Sequence, residues 1–166
     1  MAFVKRADAS AFRAALARFA SGVTVVTVRG ADGADYGMTV SAFSSLSLDP
    51  PLVLACLEVT ATLLPHLRST TTFGVSILAA GQAALSARFA DQGVVRFDGV
   101  AVTHASEGPA LIDGAAAHLV CRRVAEHPGG DHVIIVGEVQ RAEAHGDAPL
   151  VYALRQYGHF ARPSGE

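Results

Sequence analysis

Tryptophan is absent from this 166-residue chain, cysteine and methionine occur twice each, and charged residues make up only 17%. Each scarcity removes a class of protein. With two cysteines there is no disulfide framework, and both Cys56 (in LVLACLE) and Cys121 (in HLVCRRV) sit in apolar, strand-like runs. That placement predicts packed, reduced thiols and a cytoplasmic setting. The net charge of -2 comes without any Lys/Arg run, which excludes a nucleic-acid footprint and a polybasic membrane patch. There is no Gly-x-Ser-x-Gly elbow and no P-loop or Gly-x-Gly-x-x-Gly fingerprint. A hydrolase is therefore disfavoured, while NAD(P)H as a transient substrate stays open.

The seven histidines, His66, His104, His118, His127, His132, His145 and His159, are scattered. The nearest pair, His127 and His132, flanks a turn without a Cys or carboxylate at ligand spacing, so no metal site is expected. No apolar targeting segment follows Lys5, Arg6 and Asp8, and the uncharged run 69–87 carries too many hydroxyls and glycines to span a bilayer. The expectation is one domain over residues 1–166, with no membrane partner.

What is abundant is apolar surface. Hydrophobic residues reach 51%, more than a monomer of this size readily hides, which predicts a homodimer. Phe12, Leu16 and Phe19 recur at helical spacing after the capping candidates Asp8 and Ser10. The β-branched run 23–28 (VTVVTV) leads through Asp32-Gly33 into the stretch 36–57, YGMTVSAFSSLSLDPPLVLACL. There Thr39, Ser41, Ser44, Ser45 and Ser47 ride on an apolar segment that reads as two strands and a polar bend. A strand pair of this kind either offers hydroxyls to a polar ligand or merely meets solvent.

Thr60 or Thr62 can cap a short helix through Leu67, 73–78 reads as a strand, and 81–90 as a helix. The Gly-rich segment 91–113 should wander over the surface, with a short strand at 100–103. A long hairpin is expected from 116–125 and 132–142, with a last strand at 149–153. This order predicts an α+β fold dominated by antiparallel sheet, closed into a barrel to remove its edges. His132 opens the apolar strand VIIVGEV after a Gly-Gly-Asp turn, and Asp131 there is a turn former. Arg88 and Arg96 can each neutralise a phosphate, and Tyr157 and Phe160 can close over a flat ligand or anchor the tail.

In this order, FASGVTVVT (19–27), GMTVSAFSSLSLDPP (37–51), FGVSILAAGQAALSARFA (73–90), GPALIDGAAAHLVCRRV (108–124), GGDHVIIVGEV (129–139) and PLVYALRQYGHF (149–160) resemble the short-chain flavin reductase family. These are the reductase components of two-component flavin-dependent monooxygenases. The resemblance implies an FMN-binding split barrel with a few peripheral helices and a homodimer. It implies hydride transfer from NADH or NADPH to FMN or FAD, with reduced flavin passed by diffusion to a partner monooxygenase. By the same resemblance, flavin contacts fall on Met38, Thr39, Val40, Ser41, Ser44, Ser45, Leu57, Glu58, Thr60, Thr62, Arg88, Phe89 and Tyr157. His132 would face the flavin and the nicotinamide, as the residue placed at the chemistry. Glu58 and Ser76 stand where relatives commonly have Asn, and a carboxylate beside a flavin phosphate is repulsive unless it points away or meets an Arg. Two other functions share the expected barrel: a flavoprotein reducing ferric iron, a corrinoid or a quinone, and a flavin- or haem-binding module without turnover.

Overall fold

The structure, a computed structural model, describes residues 8–91, 96–106 and 108–161; Lys5 and Arg6 of the N-terminal stretch, and part of the 91–113 segment, lie outside them. Its centre is a seven-stranded antiparallel sheet in the order β3-β2-β6-β9-β10-β5-β4. The strands are β2 (Thr24–Arg29), β3 (Asp35–Val40), β4 (Phe43–Leu48), β5 (Pro51–Glu58), β6 (Thr72–Ile77), β9 (Ala117–Gly129) and β10 (His132–Ala144). A small sheet joins β1 (Ser21–Gly22), β11 (Leu150–Ala153) and β12 (Gln156–His159), and β7 (Val102–His104) pairs with β8 (Ala110–Ile112). Among the described residues three α-helices, α1 (Ala9–Leu16), α2 (Leu63–Ser69) and α3 (Ala83–Ala90), lie outside the sheets.

The expected hairpins form where their turn residues stand. Gly33, at φ 76°, makes the β2–β3 turn, and Gly130, at φ 78°, makes the β9–β10 turn; both need the left-handed conformation that glycine adopts at low cost. The stretch 36–57 is corrected from two strands to three. β3 and β4 follow one another in sequence yet occupy opposite edges of the sheet, with Ser41 and Ala42 crossing between them.

The sheet is correspondingly not closed. Val40 of β3 packs in one buried cluster with Val53, Ala55 and Leu57 of β5, so side chains fill the gap where no ladder joins the edges. This is a split barrel, mainly antiparallel, in place of the closed barrel that edge removal alone suggests. Fully buried Phe73, Leu63, Leu64, Leu67 and Ile135 complete that core. A second cluster of Val23, Val25, Leu78, Phe89, Ile112 and Leu150 sits towards α3 and the small sheet.

Two smaller expectations also change. Thr62 occupies the N-cap of α2, but its backbone is already helical (φ -62°, ψ -24°), so its hydroxyl makes no cap bond. A strand absent from the sequence reading, β12, folds back on β11 through Leu154 and Arg155, both at positive φ (52° and 62°). α1 begins as expected: the Asp8 carboxylate accepts from the Ala11 N–H at 3.3 Å and from the Ser10 hydroxyl at 2.6 Å. No residue of α1 is buried, however.

Phe73 crosses the sheet onto Gly137, where an added Cβ would meet ring carbons Cζ and Cε1, the latter at 2.8 Å. Gly137→Ala is therefore expected to overpack this core and cost about 1–3 kcal/mol, read as a lowered urea midpoint. An unchanged midpoint would show that Phe73 repacks freely.

Candidate flavin site

Alternation along β5 and β10 divides two faces. Val53, Ala55 and Leu57, with Val133 and Ile135, are buried in the barrel core. Leu54, Cys56 and Glu58, with His132 and Ile134, take the opposite face and remain half-buried or exposed. The register places Cys56 opposite Ile134 and Glu58 opposite His132. A cavity of about 440 Å³ opens on this second face. Leu16, Phe19, Phe43, Leu54, Cys56 and Tyr152 supply apolar wall, while Ser41, Ser44 and Arg155 supply polar rim. A neighbouring cavity of about 240 Å³, with Thr39, Ser86 and Tyr157 in its wall, shares Ser41 and Tyr152 with the first.

Backbone bonds hold this corner together. Ala42 accepts from the Cys56 N–H at 2.9 Å, and Phe43 N–H donates to Ser41 at 3.0 Å. The N–H of Leu154 donates to the Ala17 carbonyl at 2.6 Å, tying the β11–β12 turn to the end of α1. Leu154 is a bulky residue in the left-handed region, so this turn carries backbone strain at the cavity rim.

The expected contacts divide by position. Ser41 and Ser44 line the larger cavity, the Ser44 hydroxyl donating to the Ser45 carbonyl at 2.9 Å. Ser45 pairs with Val53 and so points to the other face of β4. The Thr39 hydroxyl donates to the Ser86 carbonyl at 2.7 Å, and Ser86 Oγ lies 3.0 Å from Tyr157 Oη. Met38, Val40 and Leu57 belong to the core or pack on it, leaving their backbone groups as what a ligand could meet. Thr60 and Thr62 are exposed at the β5–α2 connection.

Phe89 is fully buried and meets Phe97 edge-on at 5.0 Å between centroids, so its ring serves the core. Arg88 Nη2 donates to the Asp98 carbonyl at 2.5 Å. Arg96 bridges elements instead, donating from Nη1 to the Gly37 carbonyl at 2.8 Å and reaching Thr62 Oγ1 at 3.5 Å. Arg155 escapes the sequence reading because the β11–β12 turn does, and Tyr152, on the expected last strand, was not singled out there. The only signal for them was the spacing of Tyr152 and Tyr157, which face each other across the hairpin.

His132 stands at the start of β10 with Nδ1 2.7 Å from Asp131 Oδ1. The hydrogen bond from His132 and its nearby charge hold the Asp131 carboxyl below the usual carboxylate range. Nδ1–H thus donates to a carboxylate, which leaves Nε2 as the nitrogen for a ligand. Glu58 is exposed across from His132 at the strand end and makes no ion pair with an Arg among the described residues. Burial pushes the Cys56 thiol up, and the Cys121 thiol up to about 12, so both stay protonated at neutral pH.

Residues 16–161 match the flavin reductase like domain. The chain belongs to this family. It is 43% identical over 155 residues to the FMN reductase (NADH) SmoA of Agrobacterium fabrum, covering 93% of this chain and 88% of that one. To the reductase component of 4-hydroxyphenylacetate 3-monooxygenase of Thermus thermophilus it is 46% identical, covering 93% and 98%. Among solved structures, the NADH:FAD oxidoreductase SgcE6 of Streptomyces globisporus, in complex with NAD and FAD fragments, superposes with a TM-score of 0.91 at 38% identity. That match covers 99% of this chain and 100% of that one.

The donor set suits a flavin of this kind. Apolar walls match a flat ring system, serine hydroxyls match its polar edge and ribityl oxygens, and Arg155 is a cation for an anionic end. Because Cys56 lines the cavity, saturating FMN or FAD should slow its alkylation by iodoacetamide at about pH 8, where Cys121 should stay unlabelled in the native chain. Mass spectrometry of the two peptides reads both outcomes, and an unprotected Cys56 would place the ligand elsewhere.

Proposed function

We propose that this chain is an NADH-dependent flavin reductase that takes FMN or FAD as substrate and supplies reduced flavin to a partner monooxygenase. The observation that carries this reading is the apolar, serine-rimmed cavity on the sheet face that continues through Cys56 and Ile134 to Glu58 and His132. Two residues along a strand advance about 7 Å, so His132 shares a face with the cavity a short step away. The names of the relatives support both the pyridine nucleotide and the monooxygenase partner.

When both are bound, flavin and dihydronicotinamide supply the hydride chemistry, and the protein's work is to hold and orient them. Ser41 and Ser44 offer hydroxyls, Thr39 and Tyr157 shape the inner wall through Ser86, and Arg155 faces the open rim. His132 presents Nε2, oriented by Asp131, to position the nicotinamide or stabilise charge on the reduced ring. The half-open cavity suits a flavin that leaves after reduction.

A second copy of the chain is the proposed cover for the apolar surface. Phe12, Leu16, Leu48 and Phe160 are 58%, 50%, 94% and 60% exposed, and Leu16 also lines the cavity. A homodimer burying them would shield the site from water. The two free thiols fit a reducing cytoplasm.

NADH oxidation should saturate with added FMN or FAD, and NADH should serve better than NADPH. His132→Ala should lower kcat/KM for NADH on the order of tenfold, about 1.4 kcal/mol of transition-state stabilisation. Unchanged kinetics across pH would remove His132 from the site, and oxidation independent of free flavin would favour a bound-flavin enzyme with another acceptor. Leu48→Asp, on an exposed strand end, is expected to shift the light-scattering mass from two chains towards one. A wild-type monomer would refute the dimer.

A further inference from the structure

The opposite end of the β9–β10 hairpin brings together residues far apart in sequence. His118 stands directly across from Glu143 in the ladder, and His145 lies two residues beyond Glu143. Opposed residues share a sheet face; His145 lies one residue past the end of β10, where its N–H donates to the Ala116 carbonyl at 2.8 Å and its ring meets that of His118 at 5.0 Å between centroids. One bulge makes this arrangement possible. Val139 pairs with Cys121 and Arg141 with Val120, leaving Gln140 as the extra residue. Continued without that insertion, the register would bring Ala142, and not Glu143, opposite His118.

One ligand-type atom from each of His118, Glu143 and His145 lies within 4.8 Å of the others. His145 Nε2 and His118 Nδ1 are 3.1 Å apart. Two imidazole nitrogens sharing a tetrahedral zinc at 2.0–2.1 Å are about 3.3 Å apart. The pair is thus spaced for a common ion. His118 is also aimed: its Nε2 lies 2.8 Å from the Ile112 carbonyl, to which it donates. The N–H of Ile112 is held in turn by the buried hydroxyl of Ser76 at 2.9 Å. That support fixes the tautomer with the Nδ1 lone pair facing His145, as second-shell partners of metal-bound histidines do.

We propose that His118, Glu143 and His145 bind a divalent transition-metal ion of the zinc class. The site goes beyond flavin reduction and does not depend on it. Two nitrogens and a carboxylate oxygen favour Zn²⁺, Ni²⁺ or Cu²⁺ over Mg²⁺ or Ca²⁺. Three protein ligands leave the fourth position to water or a small anion. The residues line a cavity of about 620 Å³ that also holds Asp113, Asp147 and His104. Arg141 Nε lies 3.6 Å from a Glu143 oxygen, and the ion would have to compete with this exposed pair.

The test uses the untagged full chain after dialysis against a chelator, titrated with Zn²⁺ by calorimetry and with Co²⁺ by visible absorption. Expected are one Zn²⁺ per chain, the visible bands of a four-coordinate cobalt complex, and binding weakened at least about tenfold by His145→Ala and by Glu143→Gln. Both variants are exposed substitutions, and flavin-dependent NADH oxidation should persist in each, separating this site from the reductase reading. No saturable uptake up to about 1 mM Zn²⁺ would overturn the proposal. So would equal binding by wild type and either variant.

Discussion

The antiparallel register of β9 with β10 is the constraint on which the molecule depends. These strands occupy the middle of the seven-stranded sheet, and each runs for 13 residues. One bulge, at Val124, shifts their pairing by a residue, and a second, at Gln140, restores it. Between the bulges Gly137 lies under the ring of Phe73, locking the hairpin to β6. A slip of one residue would turn His132 from the cavity face into the core and send Glu143 away from His118 at the other end. One hairpin therefore fixes the geometry at both of its ends.

Those two ends have different chemistry because their surroundings differ. Near the turn, β10 is backed by β5, whose outer residues Leu54 and Cys56 continue an apolar face. At the far end, β9 is backed by β6, and Ser76 and Ile112 provide polar anchors for an imidazole. The Ser76 hydroxyl accepts one backbone N–H and stays buried, which leaves the Ile112 carbonyl to His118.

Much of the fold was legible because its signals are local. Asp32-Gly33 and Gly129-Gly130-Asp131 mark their hairpins, and alternation marks β5 and β10. Non-local pairing was not legible: no pattern within 36–57 says that β3 and β4 belong to opposite edges. The β11–β12 turn was hidden because Leu154 and Arg155 take left-handed backbone without the Gly or Asn that advertises it. At the site, Ser41 and Ser44 could be picked from hydroxyls on an apolar strand, whereas Phe89 could not be told from a core residue by helical spacing. The His118–His145 pair depends on a bulge at Gln140, and sequence separation gave no hint of it.

The crossing at Ser41 and Ala42 has a mechanical consequence. The three Cα–Cα steps from Val40 to Phe43 span at most about 11 Å, so the separation of the two sheet edges at this corner is bounded by covalent bonds. Elsewhere the split is held by side-chain packing and by the Arg96 bridge between Gly37 and Thr62, which yield on heating or in denaturant. The barrel should therefore open like a book from the far side, with Ser41-Ala42 as its spine. The wall of the cavity nearest these residues would be the last part to come apart.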